Sequence, residues 1–530
     1  MLKSIKVFTL IFLVVVLVAC NGGQSSTSTS SGSTNEEAGQ NSNEVEESNN
    51  EEDRTLVIGI PTDIKSFDIH DHNQIITEAV HINIFSYLLK RDKEMEVQPD
   101  LVKDYKVIDD EVWEFDLKEG VTFHNGDVLT ANDVKFTLER VAKDEALTEH
   151  SRLKVIKEVK VLDDHKFQII TDGPQPTLIN LLSRIGSGIL PQKYIEENGW
   201  DHFLSNPIGS GAFKFVEWRR DDRIILEPYE NYYGGNIQDV DQVVFRVVPE
   251  VMTRINELIT GGVDIVTDLT PDDITRIEDA EGVSATSAPS QRVALLGIQH
   301  REGYVTSDPK VREAIELAID NEAITEHVLK GEATPTRTRV TPGNFGSNPD
   351  LFNTQLYDIE RAKQLLQEAG YPNGVDITLT VPSDRYLKSK EVNETIAAML
   401  KQAGINVNVQ FVEYSRFVEM RNTGDFGDLY FAAYGNSLFD GSIALEEFAT
   451  ETGKERAGYE NQEIADLWNE AHTNMNTQVR SKQYQKIQEI VAEERPHLYL
   501  YLQNEVYGTS DKVNFTPRTD SMIVIEDFIQ

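Results

Sequence analysis

The reading of this chain turns on Trp113-Glu-Phe-Asp-Leu-Lys-Glu-Gly-Val-Thr-Phe-His-Asn-Gly-Asp-Val-Leu-Thr-Ala-Asn-Asp-Val-Lys-Phe136 and its continuation to Arg140. Large apolar residues alternate with polar ones at Trp113, Phe115 and Leu117, the period of a strand with one buried face. Gly120 interrupts the pattern, Val121 and Phe123 resume it, and His124-Asn125-Gly126-Asp127 reads as a turn. Thr130 stands where a helix N-cap is wanted, and Val134, Phe136, Thr137 and Leu138 follow at helical spacing. This is a strand–turn–helix framework with no catalytic motif in it.

Around that stretch lie 530 residues, too many for one core, so two or three domains are expected. The formal charge is −39, from 50 basic and 89 acidic residues. A polar tail does not account for it. Residues 21–54 carry eight acids and one arginine, and from residue 55 onward 47 basic and 81 acidic residues leave a net of −34. Such a field repels nucleic-acid phosphates, so no nucleic acid is expected among the partners. The charge reads first as solubility and second as attraction of a cationic ligand. The single cysteine, Cys20, excludes an intramolecular disulfide and a Cys-rich zinc site.

Cys20 has a more specific place. Lys3 and Lys6 precede an apolar run from Val7 to Ala19, short for a bilayer span and the length of a signal-peptide core. The run ends Leu17-Val-Ala-Cys20, the pattern of a bacterial lipobox whose cysteine takes diacylglycerol. Residues 1–20 are therefore expected to be a lipoprotein signal peptide. Residues 21–54, rich in Ser, Thr, Gly, Asn and Glu, are expected to be a disordered tether. Two acyl chains would hold the body at a membrane surface.

The body opens with the strand Thr55–Ile60, the loop containing Ser66-Phe67-Asp68-Ile69-His70, and a helical pattern from Thr77 to Leu89. Strands with Gly-rich turns then alternate with amphipathic helices at Val311–Ile319, Ile359–Gln367, Asn393–Gln402 and Val479–Glu494, an α/β pattern with more than one sheet. Several blocks carry a resemblance. They are Trp113–Phe136, Asn206-Pro-Ile-Gly-Ser-Gly-Ala-Phe213, Asn231-Tyr-Tyr-Gly-Gly235, Val311-Arg-Glu-Ala314, Ala362–Gly370 with Tyr371-Pro372, and Arg495-Pro-His-Leu-Tyr499. In this order, over about 55–520, the chain resembles the peptide/nickel (family 5) solute-binding lipoproteins of bacterial ABC importers. It departs from the family pattern at Ile69, where Asp-Pro-His is common, and at Ala212-Phe213, where Pro-Tyr is usual.

The resemblance implies a periplasmic-binding-protein-like α/β fold (type II, cluster C), two hinged lobes plus an extra domain. Lobe I is expected from 55–94, 205–300 and 500–530, domain II from 95–204, and lobe III from 301–499. It further implies a monomer on the extracytoplasmic side of a Gram-positive cell membrane, partnered by ABC permease subunits and a small peptide or peptide-like ligand. The alternatives are a nickel or other metal-chelate binder, another amine-free solute binder, and a ligand-sensing receptor without a transport role.

The same resemblance directs attention to Tyr434-Gly-Asn436-Ser437-Leu-Phe-Asp440 after the strand Gly427–Ala433. Peptide binders of the family tend to read Trp-x-x-Asp-x-x-Asp-Pro there, the first aspartate pairing with the peptide ammonium. Here Tyr434 replaces the tryptophan and Ser437 the first aspartate, so either Asp440 supplies the counter-charge or the ligand differs. A plain capped loop leading into the helix Ser442–Ala449 is the alternative. Arg385-Tyr386 also falls where family members carry cleft residues. Arg385 reads equally as a bidentate partner of a ligand carboxylate or as a surface arginine.

Enzyme chemistry finds no support. Gly-x-Ser-x-Gly, His-Glu-x-x-His, Walker and dinucleotide motifs are absent, and Gly186-Ser-Gly188 and Gly209-Ser-Gly211 have the spacing of turns. The most metal-like cluster is Asp68-Ile-His70-Asp71-His72, with His81 one helix away. Because the family carries histidine at position 70 whatever its ligand, no metal site and no cofactor are expected.

Overall fold

The computed structural model describes residues 54–383 and 385–529. The leader, the Cys20 lipobox and the tether up to residue 53 lie outside the described residues.

The stretch that opened the analysis folds as the strand Val112–Leu117 and the helix Ala131–Lys143. Trp113, Phe115, Leu117, Val134 and Leu138 are buried in one core, and half-buried Phe136 packs against a neighbouring one. Thr130 caps the helix. Its hydroxyl oxygen accepts the Asn132 N–H at 3.3 Å, and the Asp133 carboxylate accepts the Thr130 N–H at 2.8 Å, which satisfies amides that a helix start leaves open. Asp133 also accepts from the Gln192 N–H at 3.0 Å, so the cap orients the next segment too. Val121 and Phe123 are buried but do not resume the strand; only an isolated bridge joins Thr122 to Val128. The strand sits in a four-stranded antiparallel sheet ordered Val102–Asp109, Val112–Leu117, Lys166–Thr171, Ile156–Asp163.

The other large sheet is mixed and has eleven strands. One end carries Thr55–Ile60, Ile265–Leu269 and the meander Phe213–Arg219, Arg223–Pro228, Gln242–Val247; the other carries Val375–Pro382, Ile405–Val412 and Leu429–Tyr434. Two long antiparallel strands, Val283–Ile298 and His497–Ser510, run through both ends. Their pairing is interrupted. Pro289 faces Asn504 and Val293 faces Leu502, so Ser290, Gln291 and Arg292 stand opposite Gln503 alone. Such a bulge bends a strand and re-aims side chains. Ser290 pins it by donating to the Gln503 carbonyl at 2.7 Å and accepting the Arg292 N–H at 3.0 Å.

The expected helix Thr77–Leu89 spans Ile75–Ile84 instead. Phe85 is extended, and the Ile84 carbonyl accepts the Gly211 N–H at 2.8 Å. That close approach explains Gly209-Ser-Gly211: a Cβ on Gly209 would lie 2.0 Å from the Ile84 oxygen. The four other helices read from periodicity occupy Pro309–Ala318, Ile359–Glu368, Ser389–Gln402 and Thr477–Glu494, within a few residues of the ranges expected. Thr130→Ala is expected to cost about 1 kcal/mol of stability in chemical denaturation, with the fold retained by circular dichroism; an unchanged midpoint would remove the cap from this account.

Candidate ligand cavity between the lobes

The bulge opens onto three adjoining cavities of about 120, 430 and 340 Å³. The first is walled by the helix Ile75–Ile84, by Ser290–Arg292, by residues 435–439 and by the C-terminal segment 518–522. It joins the second through Ile75, Arg292, Glu505 and Ser521, and the third through Ile82, Tyr87, Lys90, Arg91 and Arg518. A concave space of this size, lined by apolar side chains with a few aimed polar groups, is where a small ligand is held.

Its polar groups are unevenly satisfied. Both amide atoms of Gln291, the Tyr87 hydroxyl, Arg91 Nε and Asn436 Oδ1 are buried without a hydrogen-bond partner among the described residues. Unmade bonds of this kind are costly, and a polar ligand would complete them. Arg292 makes only a long contact to the Ala433 carbonyl, 3.5 Å, and has no carboxylate within ion-pair distance among the described residues. Other cations of the wall are occupied. Arg518 holds Asp520 and Asp527 at 2.7 and 2.8 Å, Lys90 holds Glu526 at 2.7 Å, and Arg184 pairs with Glu149. Arg91 donates to the Met95 and Leu438 carbonyls and lies 4.3 Å from the Phe439 ring centroid. Burial pulls its guanidinium down to about 10. In a chain of net charge −39, this wall offers a guanidinium free for an anionic group.

The residues singled out from sequence part company here. Asn436 and Ser437 line the first cavity, Ser437 exposed and Asn436 held at 2.8 Å to Asn344 Oδ1. Arg385 and Tyr386 line the second cavity, beside Arg292. Tyr434 lines none of the three; its hydroxyl accepts from Arg421 at 2.7 Å. Asp440, one of the two alternatives left open for a counter-charge to a ligand amine, is turned inward and already engaged. Its carboxylate accepts the Ser442 N–H at 2.9 Å as a helix cap and the Arg480 guanidinium at 2.7 Å, and both charged residues are at most 3% exposed. Phe439, at φ +55°, forces this turn, and the Phe345–Asp440 bridge locks it.

The loop has a second job. Leu438 is buried in the core of the four-stranded-sheet domain, and its carbonyl accepts from Asn180 at 2.7 Å and Arg91 at 3.1 Å. It therefore joins two cores as well as walling the cavity. Gln291 and Arg292 were not found from sequence; Pro289 inside an otherwise β-forming run was the available signal for a bulge. Arg480→Met, which leaves the Asp440 carboxylate buried and unpaired, is expected to lower stability by about 3–5 kcal/mol. Asp440→Leu with Arg480→Met should recover most of that loss in urea denaturation, and equal losses in both variants would contradict the pairing.

Comparison with known proteins agrees with this fold. Residues 96–456 match the model of the bacterial extracellular solute-binding proteins, family 5. The glutathione-binding protein GsiB of Escherichia coli (strain K12) is 25% identical over 86% of this chain and 90% of its own length. The oligopeptide-binding protein AppA of Bacillus subtilis is 26% identical over 84% and 85%. The structure of the periplasmic binding protein DppA from Helicobacter pylori, in complex with the peptide STSA, superposes with a TM-score of 0.71 at 25% identity, covering 89% of this chain and 96% of that one. The fold is the two-lobed α/β fold of such binding proteins. By the match over most of its length, this chain belongs to the bacterial extracellular solute-binding proteins of family 5, and it is a binding protein rather than an enzyme.

Proposed function

We propose that this chain is the solute receptor of an ABC importer, capturing a peptide or peptide-like solute with a free carboxylate between its lobes and delivering it to the permease. The observation that carries the reading is Arg292. It is a guanidinium with no carboxylate partner among the described residues, standing on the strand bulge beside the unpartnered Gln291 amide. A carboxylate fits the fork of an arginine bidentately, and main-chain amides of a peptide fit the remaining unpartnered donors and acceptors. The names of GsiB and AppA, a glutathione binder and an oligopeptide binder, favour the same ligand class. Arg385 and Tyr386, on the adjoining cavity, and Asn436 and Ser437, on the first, are the further contacts we assign to the ligand.

In this reading lobe I comprises 55–94, 205–300 and 500–530, domain II 95–204 and lobe III 301–499. The apolar cores favour three units with somewhat different edges, since one gathers residues 88–189 with Leu438, a second 56–85 with 190–245 and 523–525, and a third 294–405 with 429–433 and 498–501, so that Leu190, Ile195 and Phe203 pack with lobe I rather than domain II. The bulged strands are the natural place for the lobes to pivot. The chain acts as a monomer on the extracytoplasmic face, tethered by lipid on Cys20.

Two experiments test this. Arg292→Gln is expected to weaken calorimetric binding of a short peptide at least about tenfold, the loss of one charge-assisted contact, while leaving affinity for the same peptide amidated at its C-terminus nearly unchanged. Equal effects on both peptides would remove the carboxylate from Arg292. Cys20→Ser is expected to move the protein from the membrane fraction to the medium, and continued membrane association would contradict the lipid anchor.

A further inference from the structure

A different cluster lies within the cavity wall itself. The helix Ile75–Ile84 sets Glu78 and His81 one turn apart on one face, and the loop before it returns His72 against them. The three residues are 2%, 0% and 1% exposed respectively. Their facing atoms, His72 Nε2, Glu78 Oε2 and His81 Nδ1, stand 3.2 Å (His72 to His81), 3.3 Å (His72 to Glu78) and 4.0 Å (Glu78 to His81) apart. As a hydrogen-bonded set they are poor: Glu78 Oε2 has no partner of acceptable geometry. As edges of a coordination shell they are normal, because ligands about 2.0–2.2 Å from a tetrahedral ion stand about 3.3–3.6 Å from one another. Only the Glu78–His81 edge has to shorten.

The surroundings are built for the same purpose. The Ser66 carbonyl accepts His81 Nε2–H at 2.9 Å, which leaves the Nδ1 lone pair facing the cluster, the outer contact that orients a ligating imidazole. The His72 and His81 rings stand at 84°, and His81 stacks on Phe67 and meets the Phe85 edge. Ligation through His72 Nε2 moves its proton to Nδ1, at the cost of a contact from the Gln74 N–H that is long already, 3.4 Å. The neighbouring charges are matched elsewhere, Asp68 with Arg140 at 2.6 Å and Arg184 with Glu149. His70 is not part of the set, since Arg140 lies 2.7 Å from its Nδ1.

We propose that His72, Glu78 and His81 form a structural site for a divalent transition metal of the zinc type. It supplies two neutral imidazoles and one carboxylate, with the fourth position left to water. The ion clamps the loop before the helix onto the helix itself, and so fixes the wall on which Ile75, Glu78 and Ile82 face the cavity. It is part of the receptor and not its cargo, because its ligands all come from one helix and the loop before it rather than from facing walls of the cavity. This departs from the sequence-based expectation of no metal site.

The test uses the full chain, stripped with a chelator and reloaded with Zn²⁺ or Co²⁺. Elemental analysis should find one metal ion per chain, the melting temperature should rise on loading, and the Co²⁺ form should show the intense visible band of a four- or five-coordinate nitrogen–oxygen site. Glu78→Gln and His81→Gln should each lower metal affinity at least about a hundredfold and abolish that band. A wild-type chain that takes up no metal, or variants that bind it as the wild type does, would overturn the proposal. Where a variant does not fold, the wild-type Co²⁺ spectrum decides alone, and a weak octahedral band from surface-bound ion counts against the site.

Discussion

The molecule depends on one pair of strands. Val283–Ile298 and His497–Ser510 run antiparallel from one end of the eleven-stranded sheet to the other, and each half of the pair is welded to the strands of its own lobe. A continuous ladder would hold the two ends rigid. The interruption at Ser290–Arg292 removes ladder bonds where the lobes meet and leaves three residues with backbone to bend and side chains to offer. In the function proposed here, pivot and ligand contact would be the same residues, and a solute that binds them better in one arrangement would shift the lobes toward it.

Around that pivot the electrostatics are local rather than global. The chain is strongly acidic, yet several carboxylates near the cavity are matched by internal partners: Asp440 by Arg480, Glu149 by Arg184, Asp520 by Arg518, whereas Glu78 and Glu505 line it without a lysine or arginine partner among the described residues. Buried pairs of this kind add little net stability, but breaking one is costly, so they keep acids from competing for the free guanidinium. The loop 435–439 ties this arrangement to the core of the four-stranded sheet. Leu438 is packed among residues of the four-stranded-sheet domain, while Ser437 faces the cavity from the same turn.

The framework was legible because its signals are local. Period-two alternation at Trp113–Leu117 and a Thr130 cap followed by Asp133 are rules of neighbouring residues, and they appear in the structure nearly as read. The helix after Thr77 was read too long because its end is decided by Gly211, about 130 positions further on, taking the Ile84 carbonyl. The candidate site was half legible. The segment 434–440 does border the cavity, but the side-chain directions within it follow from a left-handed Phe439 and from Arg480, forty residues away. Arg292 carried no local mark beyond Pro289. Glu78 was one acid among 89, and only its place between two buried imidazoles distinguishes it.

The measurement that tests the account most directly is a crystal structure of the chain with a bound peptide. The account predicts the peptide in the space between Ser290–Arg292 and residues 435–439, its carboxylate on the Arg292 guanidinium, and the Asp440–Arg480 pair intact. A peptide whose ammonium group displaces Arg480 from Asp440, or one bound outside this space, would contradict it.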